Sequence, residues 1–183
     1  MTGDRRPDFD AGDTKADQAL ELVTVAAAAV PWLGGPLSAV LSGAAFDRKI
    51  GRVRDVVNGL VADLRDFKSE ASERYVRTEE FEDLLDAALR RAAEERNEQR
   101  RKLFQRFIVN SIRQQEPFDD RLRVLRALSD LTLDHIRVLQ AIGATPPNEP
   151  ARSLGSPFQT ISDRLGRKMP RETLDDVVAD LHS

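Results

Sequence analysis

The side chains with the chemistry to act as bases, nucleophiles or ligands are few and badly spaced for it. His135 and His182 are the two imidazoles of the chain, and neither has a carboxylate three residues before it, so the Glu-x-x-His pairs of di-metal bundles and the His-Glu-x-x-His helix are absent. His135 follows Asp134 in the first turn of an expected helix, and His182 is the penultimate residue. There is no Cys, which removes disulfides, thiolate metal sites and thiol nucleophiles together. Gly34-Gly35 is not followed by the Gly-Lys-Ser/Thr that places an ammonium and a hydroxyl beside phosphate-binding amides. The acid pairs Glu79-Glu80, Glu94-Glu95 and Asp175-Asp176 lie at helix starts or on charged helix faces, where the helix dipole and solvation account for them. These patterns predict a non-enzyme, with no cofactor and no metal.

Elements that would position such residues follow from periodicity. The 183 residues carry 28 Lys+Arg against 31 Asp+Glu, a net charge of -3, which excludes a globally basic nucleic-acid binder. Charged residues make up 32% and aromatic ones 5%, the texture of helices with charged outer faces. No stretch alternates apolar and polar residues, so the expected fold class is all-α: a multi-helix bundle with a small-residue helical hairpin near its start and a loosely attached C-terminal helical extension. Residues 1–13 read as a disordered lead, 14–143 as the bundle, 144–157 as a linker and 158–183 as two short helices.

Within the bundle, a first helix starts after Asp13 or Thr14 and runs to Val30, where Pro31 and Gly34-Gly35-Pro36 stop it. Gly35 and Pro36 then suit the cap and first position of a long second helix. Its apolar seam, Phe46, Ile50, Val53, Val57, Leu60, Leu64 and Phe67, is spaced 4, 3, 4, 3, 4, 3. Thr78 caps the acidic start of the next helix, and a turn near Asn97 separates it from a helix ending before Pro117. Further helices are expected after Asp119 or Asp120, after Thr132, around 158–165 and around 171–181.

One segment breaks the charged texture. From Leu22 to Phe46 there are 25 residues without a charge. Pro31 and the Gly34-Gly35-Pro36 turn argue against a membrane span, because its backbone groups would lack partners in lipid. Two apolar arms with small residues for close approach fit better. Trp32 and Leu33 form the expected exposed apolar tip, and Arg48, Lys49, Arg52 and Arg54 place four positive charges in seven residues just beyond it. Two readings follow: a buried centre of the bundle, or a surface that docks on a partner, on a second copy or on an anionic membrane. The acids before the apolar run argue against an export leader, so the expected location is cytoplasmic, peripheral to the inner face of the membrane if the docking surface is lipid.

Two other basic regions carry competing readings. Between residues 90 and 106, seven cations outnumber three acids by four, but the acids are interleaved and aromatics are few, which fits helix exteriors better than phosphate tracking. The segments LTLDHIRVLQAIG, FQTISDRLG and PRETLDDVVADLHS have the rhythm of a winged-helix module, the basis for an alternative reading as a DNA-associated regulator. Glu172, Asp175, Asp176 and Asp180 on the last helix oppose it, and nucleic acid is not the expected partner.

The order of features also carries a resemblance. The Val-Pro-Trp-Leu-Gly-Gly-Pro turn, EEFEDLLDAALRRAAEERNEQRRKLFQRFIVNSI and LSDLTLDHIRVLQAI resemble a loose group of small uncharacterised bacterial helical proteins, and are distantly similar to the abortive-infection alpha family. That resemblance spans about residues 25–143. It implies a helical fold and a setting in defence against phage, and it places no catalytic residue.

Overall fold

The computed structural model describes residues 13–42, 49–67, 69–114, 116–143, 157–166 and 168–182. Among them every regular element is helical, and the chain is an all-α multi-helix bundle. It divides into two compact units, the first ending at Ser129 and the second beginning at Asp130. The bundle expected to reach residue 143 thus gives up its last helix to the second unit.

The first unit opens with α1 (Asp13–Ala29), a single 3₁₀ turn (Pro31–Leu33) and α2 (Gly34–Leu41). Pro31 stands at the first position of the turn, where its missing N–H costs nothing. Leu33, not Gly35, caps α2, and Gly34, Gly35 and Pro36 form its first turn. Among the described residues the expected long second helix is divided into two helices. Lys49, at φ -133°, leaves the helical region and caps a separate α3 (Ile50–Leu64). Phe46 lies outside the described residues; the rest of the seam holds, with Val53, Val57, Leu60 and Leu64 buried and Ile50 and Phe67 packed against the same core.

A short α4 (Glu70–Tyr75) follows α3, where no helix was expected, capped by Ser69 and tied inward by the buried Ser72 hydroxyl, which donates to the Ile112 carbonyl at 3.0 Å. Thr78 caps α5 (Glu79–Glu94), its hydroxyl oxygen accepting from the Phe81 amide at 3.3 Å. The turn at Asn97 is present: its side-chain oxygen accepts from the Gln99 amide at 2.8 Å and starts α6 (Glu98–Gln114). α7 (Phe118–Asp130) follows Pro117, with Asp119 and Asp120 in its first turn. One core joins these helices, centred on Leu60, Leu64, Phe81, Leu85, Leu89 and Ile108.

In the second unit α8 (Leu133–Gly143), α9 (Pro157–Arg164) and α10 (Arg171–His182) bury Val138, Leu174 and Val177. Of the expected 144–157 linker, all but Pro157 lies outside the described residues. Gly166 takes φ +63°, a left-handed conformation that closes α9 and that glycine adopts without strain.

Candidate interaction surface

The hairpin of α1 and α2 has two sides. Its inner side is core: Leu22, Ala26, Val30, Leu33, Leu37, Val40 and Leu41 are buried. Close approach at the elbow depends on Gly34, since a Cβ there would stand 2.5 Å from the Ala27 Cβ. Its outer side faces solvent with Leu20, Thr24, Val25 and Ala28 on α1 and Gly35, Ser38 and Ala39 on α2. Leu20 and Val25 are 66% and 51% exposed. Two hydroxyls on this side are turned back on their own backbone: Thr24 donates to the Leu20 carbonyl and Ser42 to the Ala39 carbonyl, each at 2.8 Å. The described part of the uncharged run therefore offers an outward surface with little demand for water, beside Glu21 and Arg54, whose charged atoms lie 3.9 Å apart.

The predicted tip needs correction. Leu33 is fully buried, because the 3₁₀ turn runs directly into α2 and points it at the core. Trp32 is half-buried, packed against that core on one side. On the other it lines a groove of about 590 Å³ with Ala28, Pro31, Leu64, Phe67 and the polar rim Arg65, Glu73 and Arg77. The Arg113 guanidinium stacks on Phe67 at 5.4 Å and donates to the Asp63 carbonyl at 2.9 Å.

Nor is the basic cluster a free anchor. Arg48 lies outside the described residues. Lys49 pairs with Glu94. Arg52 donates through Nη1 to the Ala93 and Glu94 carbonyls at 2.8 and 3.2 Å, satisfying the end of α5. Two arginines from the 90–106 stretch do similar work: Arg101 donates to the Arg96 carbonyl at 2.9 Å and pairs with Asp55 at 3.0 Å, while Arg100 reaches the Leu128 and Ser129 carbonyls at 3.2 and 3.1 Å. Arg100 also grips Glu95 at 2.6 Å. Burial pushes the Glu95 carboxyl up, but the Asn97 amide and the Arg100 guanidinium outweigh it, and the group ionises below its usual range.

Compared with family models, curated proteins and solved structures, the chain matches none.

Arg121, 4% exposed, donates to the Tyr75 hydroxyl and lies over its ring at 4.4 Å; its Nε has no partner among the described residues, and burial lowers the affinity of the guanidinium for its proton. In the second unit His135 makes a reciprocal cap with Thr132: Nδ1 accepts from the Thr132 amide at 3.1 Å, and the His135 amide donates to Oγ1 at 3.3 Å. Its Nε2 faces Asp180 at 3.6 Å. His135 is thereby occupied in holding the start of α8. Glu172, Asp175, Asp176 and Asp180 are all exposed on α10, an acidic surface that would repel nucleic acid. Among the described residues no side chains are grouped to hold a metal ion, and no helix is long and apolar enough to cross a membrane.

Residues of the outer face and the groove were only partly marked by pattern. The four-residue spacing of Leu20, Thr24 and Ala28, and of Glu21 and Val25, is the signal for a shared solvent side. Arg65, Phe67 and Arg77 come together only through the fold.

Proposed function

We propose that the protein is a non-enzymatic interaction module that self-associates through the outer face of the α1–α2 hairpin. The observation carrying this reading is that face itself: in a chain that is 32% charged, the solvent side from Thr24 to Ser42 carries no charge, and two of its hydroxyls are spent on their own backbone. Such a surface loses little on dehydration and gains by apolar contact. A second copy is the favoured partner because a two-fold contact pairs a patch with itself. The neighbouring Glu21 and Arg54 supply one charge of each sign, so the same border can meet its own opposite. An anionic membrane is less favoured, since Lys49, Arg52 and Arg54 already face carboxylates or carbonyls of the same chain.

Sedimentation velocity over a concentration series tests this. Concentration-dependent dimer, abolished by Leu20→Glu with Val25→Glu, is the expected result; a monomer at every concentration overturns it. The phage-defence setting is carried by the sequence resemblance, and plaque counts on bacteria with and without the chain test it separately.

A further inference from the structure

The groove at the hairpin elbow is distinct in chemistry from the uncharged face beside it. Its floor is Leu64, Phe67 and the free side of Trp32, and its rim holds Arg65 and Arg77 against the single acid Glu73. Both arginines are exposed, and neither is held in an ion pair with a described residue. Elsewhere in the first unit Lys49, Arg90, Arg100, Arg101, Lys102 and Arg123 are each matched to a carboxylate, while Arg74, Arg96, Arg106 and Arg126 are, like the elbow pair, exposed and in no ion pair with a described residue, but they do not line this groove. The elbow thus sets two uncommitted guanidiniums around an aromatic floor.

We infer that this groove binds an acidic segment of a protein partner that carries a large apolar side chain. The apolar anchor enters over Trp32 and Phe67, displacing water from both rings, while flanking carboxylates take the forks of Arg65 and Arg77. Tryptophan and arginine in a concave setting are the side chains that concentrate binding energy at interfaces, and the planar guanidinium matches a carboxylate with two parallel hydrogen bonds. A volume of about 590 Å³ accommodates an anchor residue and its neighbours rather than a folded surface. Net charge at the rim selects the sign of the segment: two positive groups against one negative exclude a basic one. This binding does not require self-association, because the groove is complete within one chain.

Trp32 is the only tryptophan in the chain, so its emission reports occupancy directly. The full chain, at concentrations where sedimentation finds monomer, is titrated with a short synthetic peptide holding one Phe and one Leu among Glu and Asp residues. Control peptides replace the acids by Lys, or the Phe and Leu by Ser. The expected result is a saturable change in Trp32 emission with the acidic apolar peptide alone, about tenfold weaker in Arg65→Glu with Arg77→Glu. Glu73→Gln is expected to tighten binding. Circular dichroism establishes that the double variant is folded, and Arg65→Gln with Arg77→Gln replaces it if it is not. Equal binding of the Lys peptide, undiminished binding by the arginine variant, or a response to phosphatidylserine vesicles in place of the peptide overturns the inference. Each of these outcomes leaves the sedimentation test of self-association untouched.

Discussion

Replacing Gly34 and Gly35 in turn by alanine separates two effects that are usually mixed. Gly34 sits at φ -61° and ψ -41°, ordinary helix, so its backbone does not need glycine. Alanine there is favoured by helix propensity by up to about 1 kcal/mol, less at a first-turn position. Against this stands a Cβ placed 2.5 Å from the Ala27 Cβ and 3.3 Å from its Cα, contacts that neither side can relieve by rotating a side chain. The arms must separate, which pulls Leu33, Leu37 and Ala26 out of register in the core. Overpacking of this kind costs about 1 to 3 kcal/mol, so Gly34→Ala is expected to lose about 1 to 2 kcal/mol net. For a unit of this size that lowers Tm by about 3 to 8 °C. Gly35 is exposed, and a methyl group added there would meet nothing within 4 Å. Gly35→Ala is therefore expected to be neutral or to gain a few tenths of a kcal/mol, about the propensity difference alone. Urea unfolding of both variants measures the contrast. Equal stability of the two, or a more stable Gly34→Ala, refutes the close packing of the hairpin arms.

Polar contacts within the two units set three further expectations. Tyr75→Phe strips the buried Arg121 of the hydroxyl it donates to and is expected to cost about 1 to 3 kcal/mol, but close to nothing in an Arg121→Met background. Equal cost in both backgrounds in urea unfolding refutes the pairing. Glu95 ionises more readily folded than unfolded, so its contribution to stability is present above the ordinary carboxylate range and lost as pH falls through its lowered folded value. Glu95→Gln is expected to shrink the loss of urea midpoint between neutral and acid pH, and an unchanged acid limb counts against the Arg100 and Asn97 contacts. His135→Ala removes the reciprocal cap with Thr132 and is expected to cost the second unit about 1 kcal/mol, read as faster hydrogen exchange at the start of α8 with α3 and α5 unchanged.

Local signals were legible wherever one residue's chemistry decides the structure. Thr78 before three acids, Asn97 within a polar run and Pro117 after a helix all mark boundaries that the fold keeps. The seam from Val53 to Leu64 could be read because a helix repeats its buried face every three or four residues. The break at Lys49 could not, since no proline stands between Leu37 and Lys49 to mark it. Leu33 looked like a tip because Pro and Gly surround it, and turns usually lie outside; the 3₁₀ geometry reverses that by carrying the chain straight into α2. The role of Arg52 was hidden for a different reason: its acceptors, the carbonyls of Ala93 and Glu94, are 41 and 42 residues away. The boundary at Ser129 was equally hidden, because a leucine-rich helical pattern runs through it without a change of composition.

The central claim is that the uncharged outer face of the hairpin is a self-docking surface, and the sedimentation series on wild type and on Leu20→Glu with Val25→Glu tests it most directly. Both residues are already in solvent, so the substitutions leave the core intact, and two-fold symmetry makes each one count twice in a dimer. The predicted result is a wild-type dimer whose dissociation constant rises by more than about tenfold in the variant, with helical content unchanged. A wild-type chain that stays monomeric throughout, or a dimer that the two substitutions leave intact, contradicts it.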